Sequence, residues 1–318
     1  MHETLYIVIP CFNEEEVLRE TAKRLDEKIR DMFEQGFVNE NSKVVFIDDG
    51  SKDNTWEIIT QLHNENKLFS GVSLSRNVGQ QKSLFAGMMA VKEYADMIVS
   101  MDADLQDDID VLDEMVHAYY KGDDIVYGVR SSRKKDSFVR RSASENFYRF
   151  TKMMGIEIVP DHAHYRLMSR RVVKALSQYG EVNLFLPYLV PQLGFKNSFV
   201  YYERNKRFAG ETKYSLRKLF MMATDGITSF STKPIAMISI LVLISFLVVI
   251  LGIIAMIVQK FENNAIPSWL YIFTSVWVTG TFQLLAVRIV GEYIGKIFKE
   301  TKHRPRYIIS ENLLEKNS

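Results

Sequence analysis

The chain has 318 residues, 40 Lys and Arg against 39 Asp and Glu, a formal net charge of +1 and 47% apolar residues. That balance excludes a globally basic nucleic-acid binder, and the length accommodates one large domain plus an appendage. The single cysteine, Cys11, excludes an internal disulfide framework and fits a reducing compartment.

Met1–Pro10 lacks the basic region and long apolar core of a signal peptide, and its run Leu5–Ile9 predicts a buried strand. A helix over Glu14–Gln35 follows, then a strand over Lys43–Ile47 that ends at Asp48-Asp49-Gly50-Ser51. Thr55–Asn66 predicts a helix with Asp53 or Asn54 as cap. The next elements are a strand at Val72–Leu74, a helix at Gln81–Glu93, a strand at Met97–Met101, a helix at Val111–Lys121 and a strand at Ile125–Val129. Strands alternating with helices imply βαβ units, an α/β fold with a mostly parallel sheet, and a ligand site at the carboxyl ends of its strands. The polar clusters Asn13-Glu14, Asp48-Asp49, Asp102–Gln106 and Arg130 all follow strands, so they are expected to converge on one crevice. No G-x-G-x-x-G follows the first strand and there is no phosphate-loop lysine motif, which argues against a dinucleotide or P-loop binder.

Pro234–Val258 is 25 residues without a charge. As a helix it spans roughly 37 Å, more than a hydrocarbon core of about 30 Å. Ser268–Val287 is a second candidate span, and the loop between them carries one basic residue, Lys260. Basic residues crowd the outer flanks: Arg217, Lys218 and Lys233 on one side, and Arg288, Lys296, Lys299, Lys302, Arg304 and Arg306 on the other. The positive-inside rule then predicts a cell-membrane hairpin with the large domain and both termini in the cytoplasm. Tyr214–Ser231 intersperses Leu216, Leu219, Phe220, Met222 and Ile227 with Arg and Lys, the pattern of an interfacial helix or of a soluble helix packed on the domain. The expected organisation is a catalytic domain over 1–213, a juxtamembrane helix over 214–233, two membrane helices over 234–291 and a cytoplasmic tail over 292–318.

The stretch Val99-Ser-Met-Asp-Ala-Asp-Leu-Gln-Asp-Asp108 carries the chemistry. Alternate residues of an extended segment face the same way, so Asp102, Asp104 and Gln106 can present oxygens to one divalent cation. Hard oxygen donors suit Mg2+ or Mn2+ shared with substrate phosphates. A solvated acidic loop is the competing reading, and Asp108-Ile-Asp110 fits the same spacing with no evident role.

Four ordered stretches, IVIPCFNEE, VVFIDDGSKDNT, SRNVGQQKSLFAGM and VSMDADLQDD, resemble the motifs of family 2 glycosyltransferases of the GT-A fold. YGVRSSRKKDSF, YRLMSRR and RNKRFAGETKY narrow the resemblance to the polyprenyl-phosphate glycosyltransferases, which include dolichyl-phosphate mannose synthase and the bactoprenol glucosyltransferases. The ending GEYIGKIFKETKHRPRYII is similar to the bacterial two-span branch.

The resemblance implies that Pro10, Phe12, Asn13 and Glu14 line a nucleotide pocket, with Phe12 where a tyrosine is commoner. Ile47 and Asp49 would contact base and ribose, and Asp102, Ala103, Asp104 and Gln106 would hold metal and diphosphate. Lys82, Arg130, Arg207 and Lys213 would surround phosphates, although each basic residue alone also suits a solvated surface. His164 and Arg166 fall on the catalytic Ala/Gly-Asp-Tyr/Phe-Arg motif, but His164 replaces the usual aspartate and supplies no fixed negative charge. The implied activity is metal-dependent, inverting transfer of a hexose from UDP-glucose to undecaprenyl phosphate. Transfer of mannose or N-acetylhexosamine and a catalytically silent membrane scaffold are the alternatives. A processive synthase is disfavoured, because the chain has no Gln-x-x-Arg-Trp motif. Relatives imply a homo-oligomer in which Arg306–Leu314 could pair with a neighbour.

Overall fold

The structure, a computed structural model, describes residues 3–131, 162–203, 231, 233–262 and 268–314. Its elements in chain order are β1 (Leu5–Cys11), α1 (Leu18–Glu34), β2 (Lys43–Asp48), α2 (Thr55–Glu65), β3 (Phe69–Leu74), α3 (Gln80–Val91) and β4 (Met97–Ser100). They continue with α4 (Val111–Tyr120), β5 (Ile125–Arg130), β6 (His162–Ser169), α5 (Arg170–Leu176), α6 (Leu186–Gln192) and β7 (Asn197–Tyr202). Two long helices, α7 (Lys233–Glu262) and α8 (Ser268–Thr301), precede a last strand, β8 (Ile309–Asn312).

The eight strands form one sheet in the order β7-β5-β6-β4-β1-β2-β3-β8. Its centre is parallel, with β1 paired to β2 on one side and β4 on the other, and β2 paired to β3. Strand β6 runs antiparallel between β4 and β5, and β8 runs antiparallel along β3, so the sheet is mixed around a parallel core. The apolar runs of β1 and β2 are buried on both faces, as strands covered by helices on each side must be. Helix α1 turns Leu18, Ala22, Leu25, Ile29 and Met32 inward at helical spacing.

Local chemistry moves several expected boundaries. Helix α1 starts at Leu18 rather than Glu14, because the backbone of Asn13, Glu14 and Glu15 donates to Ser51, Thr55 and Asp53 instead of entering a helix. Strand β3 begins at Phe69, three residues before the expected Val72, with Ser70 and Gly71 buried beside α2. Among the described residues, β6, α5, α6, β7 and β8 are additions to the expected pattern. The Arg306–Leu314 segment lines the edge of β3 of its own chain: Val72 pairs with Asn312 and Ser73 with Glu311.

The described residues form two compact units. One runs from the N terminus through β7 and recovers the segment from Arg304 onward; the other contains α7 and α8. In the second unit α7 packs against α8, and both are long and apolar enough to cross a membrane, with windows of mean hydropathy 3.2 and 1.4. Their large side chains are exposed, Phe246 by 61% and Leu284 by 73%, which is the surface a lipid solvent requires and water penalises. The expected juxtamembrane helix over Tyr214–Ser231 lies outside the described residues except for Ser231.

Candidate active site

In an open α/β sheet, ligands bind outside the carboxyl ends of the strands where the strand order reverses. Here that point is β1, whose neighbours are β2 and β4. The loops after β1, β2, β3, β4 and β5 leave from this end of the sheet, and they carry most of the described candidate residues.

The loops after β1 and β2 are tied to each other. Asn13, held at φ 53°, accepts a hydrogen bond from the Lys52 N–H at 2.9 Å, while its own N–H donates to Ser51 at 3.0 Å. Asparagine tolerates this left-handed conformation better than most residues. Pro10, Phe12 and Glu14 are partly buried here and Asn13 is exposed. Asp49 is buried; its carboxylate accepts from the backbone N–H groups of Val78 and Gly79 at 2.8 and 3.0 Å. Burial pushes the Asp49 carboxyl up, and these two hydrogen bonds only partly offset it. Asp48 is buried as well, accepting from Ser51 and Ser73. Ile47 is fully buried beneath α3, where its side chain faces Gly87, so the structure places it in the core rather than on the crevice surface.

The acidic loop departs from the extended geometry expected of it, yet keeps the expected alternation. It forms a turn in which Leu105 adopts φ 57°, a strained conformation for a bulky residue of the kind found at functional loops. Asp102, Asp104 and Gln106 are partly exposed, whereas the alternating Ala103, Leu105 and Asp107 are buried. Thr21 anchors the turn by donating to the Ala103 carbonyl at 2.9 Å, and Asp104 accepts from the Gln106 N–H at 3.2 Å.

The remaining candidates divide between surface and interior. Arg130, at the end of β5, is partly exposed and lies 3.6 Å from the Asp107 carboxylate. Lys82 is partly exposed on the first turn of α3. On β6, His164 is partly exposed with both ring nitrogens 3.3 Å from the Gln81 amide. Arg166, two residues further on, is fully buried: one guanidinium nitrogen reaches the Leu186 carbonyl at 3.4 Å and burial pulls its pKa down to about 10. The structure thus places Arg166 inside the sheet's packing and His164 nearer its surface. Arg207 and Lys213 lie outside the described residues.

Three side chains that the sequence pattern does not single out organise this end of the sheet. Gln80 donates to Asp102 Oδ1 at 2.7 Å. Gln81 links His164 to α6, accepting from the Leu186 N–H at 3.2 Å. Asp107 is buried, accepts from the Tyr202 hydroxyl at 2.5 Å and faces Arg130. Parity along the loop was the available signal for Asp107: counted in twos, it shares the inward side with Ala103 and Leu105. Gln80 and Gln81 carry no such signal, since two amides opening a helix look like ordinary surface.

The family model for glycosyl transferase family 2 matches residues 6–177. An uncharacterized glycosyltransferase of Bacillus subtilis (strain 168), YkoT, is 45% identical over 97% of this chain and 92% of its own. A bactoprenol glucosyl transferase of Shigella phage SfX is 37% identical over 95% of this chain and 97% of its own. Among solved structures, glucosyl-3-phosphoglycerate synthase from Mycobacterium tuberculosis aligns with a TM-score of 0.47 and 18% identity, covering 71% of this chain and 76% of that one. The match spans β1 to α5, including every loop that builds the crevice, and with near full-length relatives it shows that this chain belongs to glycosyl transferase family 2.

Proposed function

We propose that the protein is a membrane-bound, inverting hexosyltransferase that moves glucose from UDP-glucose to a polyprenyl phosphate, undecaprenyl phosphate, on the cytoplasmic leaflet. The observation that carries this reading is the outward row Asp102, Asp104 and Gln106, at the strand order's reversal, in a chain that also contains two lipid-compatible helices. The bactoprenol glucosyl transferase relatives, which match this chain along nearly its whole length, support the lipid acceptor and the sugar.

Among the described residues no cage of three or more His, Cys, Asp and Glu side chains is assembled. Two partly exposed carboxylates and an amide on a strained turn instead supply hard oxygen donors of the kind that Mg2+ or Mn2+ would take alongside substrate phosphates. When bound, the cation offsets the charge of the departing nucleotide diphosphate. Asp102 and Asp104 would hold it, with Gln106 as the neutral donor, and Gln80 orients Asp102. The walls of Phe12, Asn13 and Asp49 would receive the nucleoside, and Arg130 would supply fixed positive charge next to the phosphates. An acceptor phosphate is already anionic near neutral pH, so positioning and charge carry the reaction with little need for a general base. His164 would accept a hydrogen bond from sugar or acceptor.

Membranes containing the protein, incubated with labelled UDP-glucose and undecaprenyl phosphate, should transfer label into the organic phase. Asp104→Ala should reduce that transfer by at least about a hundredfold while leaving the melting temperature within a few degrees. Label from UDP-N-acetylglucosamine or GDP-mannose but not UDP-glucose would reassign the sugar. No lipid product from any donor would favour a silent scaffold, and full activity in metal-free buffer would overturn the role given to the acidic loop.

A further inference from the structure

Asp107 is 2% exposed, within an acidic loop whose neighbouring carboxylates reach solvent. An isolated buried carboxylate is costly, so its partners define its purpose. They come from three separate parts of the chain. The Tyr202 hydroxyl at the end of β7 donates to Oδ1 at 2.5 Å. The Arg130 guanidinium at the end of β5 lies 3.6 Å from the same oxygen. Burial pushes the Asp107 carboxyl up, and the Tyr202 hydrogen bond, the Arg130 charge and the backbone amide of Asp102, at the start of the loop, only partly offset it.

The arrangement leaves capacity unused. Asp107 Oδ2 and Arg130 Nε have no hydrogen-bond partner among the described residues, although both are buried. The Arg130 side chain nevertheless keeps 25% of its surface exposed, so its cation is pinned at one end and open at the other. A pair serving stability alone would gain as much from two well-packed apolar residues. This one instead joins the two charged halves of the crevice, the cation-binding loop and the arginine.

We propose that Asp107 is a positioning residue: its buried carboxylate fixes Arg130 at the crevice and offsets part of that cation's charge beside the loop carrying Asp102 and Asp104. The inference rests on the reading of the crevice as the site of sugar transfer. Asp107 acts through Arg130 and touches neither sugar nor phosphate. Tyr202 donates to the same oxygen that Arg130 faces, which holds the carboxylate inward, away from the partly exposed Asp102 and Asp104.

The test compares wild type, Asp107→Asn, Arg130→Gln and the double variant, as full chains in detergent. Mn2+ uptake is read from loss of the free-ion electron paramagnetic resonance signal, and turnover is read in parallel. Asparagine preserves shape and an acceptor for Tyr202 but leaves Arg130 unneutralised, so Mn2+ affinity should fall about tenfold. Adding Arg130→Gln should bring affinity back to within about threefold of wild type, because no stray cation then remains. Turnover should fall about thirtyfold with Asp107→Asn in wild type but less than about threefold on the Arg130→Gln background, where nothing is left to position. A double variant that binds Mn2+ as weakly as Asp107→Asn, or equal turnover losses in the two backgrounds, overturns the proposal and leaves Asp107 a purely structural carboxylate. If Asp107→Asn does not fold, Arg130→Gln and Arg130→Lys decide: the unpaired Asp107 charge should make Arg130→Gln bind Mn2+ more tightly than Arg130→Lys, and equal affinities overturn the proposal. Wild type that takes up no Mn2+ would refute the metal reading of the loop, while the turnover cycle would still decide the role of Asp107.

Discussion

Gly50 is the backbone position on which the proposed nucleotide side of the crevice depends, and Gly50→Ala tests that dependence. Its φ is +66°, and a Cβ built there lies 2.6 Å from the Arg76 carbonyl carbon, 2.7 Å from the Asn77 nitrogen and 2.9 Å from the Arg76 Cα. All three are backbone atoms, so no side chain can swing aside to relieve the contact. The left-handed conformation alone costs an alanine roughly 1–2 kcal/mol. Moving the 76–77 backbone adds to that, for a total of about 2–4 kcal/mol. The displaced segment leads directly to Val78 and Gly79, whose N–H groups donate to the Asp49 carboxylate. The substitution should therefore lower the melting temperature by roughly 5–15 °C and weaken UDP binding several-fold as Asp49 loses its donors. Gly194→Ala supplies the control, because Gly194 also has positive φ (+69°) but a Cβ placed on it meets nothing within 4 Å; it should cost only the conformational part. Thermal unfolding of the full chain in detergent, with calorimetric UDP titration, measures both effects. A Gly50→Ala protein that melts no lower than Gly194→Ala would refute the claim that close backbone approach fixes these loops.

The edge strand gives a second prediction. Deleting residues 306–318 removes β8, the Leu313 N–H bond to the Gly71 carbonyl at 2.8 Å, the Trp56–Glu311 bond at 3.1 Å and the Arg306 guanidinium stacked 4.8 Å over Phe85. The truncated protein should melt lower and aggregate through the uncovered edge of β3, as light scattering during a thermal ramp would show. Asp124 gives a pH prediction. Its hydrogen bond to Arg171, the largest cause, holds its carboxyl below the ordinary value of 3.8. A depressed folded-state value contributes stability above 3.8 that is lost as pH falls through the lower folded value. Asp124→Asn should therefore melt below wild type near neutral pH, and the gap should close as melting is followed into acid below that point.

The legible part of the fold was the part written in apolar runs. Strands β1, β2, β4 and β5 are short β-branched stretches between polar turns, and their positions followed directly. Strand β6 reads HAHYRLMS and β7 reads NSFVYY: the first buries an arginine and the second exposes alternate residues at a sheet edge, so neither shows a clean period. Helix α6, LPYLVPQ, contains two prolines and signals a break rather than a helix. Strand β8 is exposed along its whole length and is made by backbone pairing, which leaves no trace in hydropathy. The candidate site divides in the same way. Asp102, Asp104 and Gln106 could be found from where they fall after a strand, whereas the buried positions of Ile47 and Arg166 depend on the helices laid over them.

An apolar strand runs straight into so many acids because the acids do different work according to parity and partner. Asp107, turned inward, is held by Tyr202 and Arg130. Asp110 and Asp113, further along, share Lys28 of α1 at 3.5 and 2.6 Å, which ties α4 to α1 and draws two negative charges away from the crevice. Asp108 accepts from the Asp110 N–H at 3.1 Å and shapes the turn into α4. Asp102 and Asp104 are partly exposed, and the neutral Gln80 amide donates to Asp102. A lysine in place of Gln80 would neutralise Asp102 before any divalent ion arrived, whereas an amide orients a carboxylate and leaves its charge intact. The segment 102–113 thus commits Asp110 and Asp113 to Lys28 and Asp107 to Arg130, and leaves Asp102 and Asp104 partly exposed where the sheet opens. Lys28→Met would test that division: it should release Asp110 and Asp113 and lower the melting temperature while leaving Mn2+ uptake by the outward row unchanged.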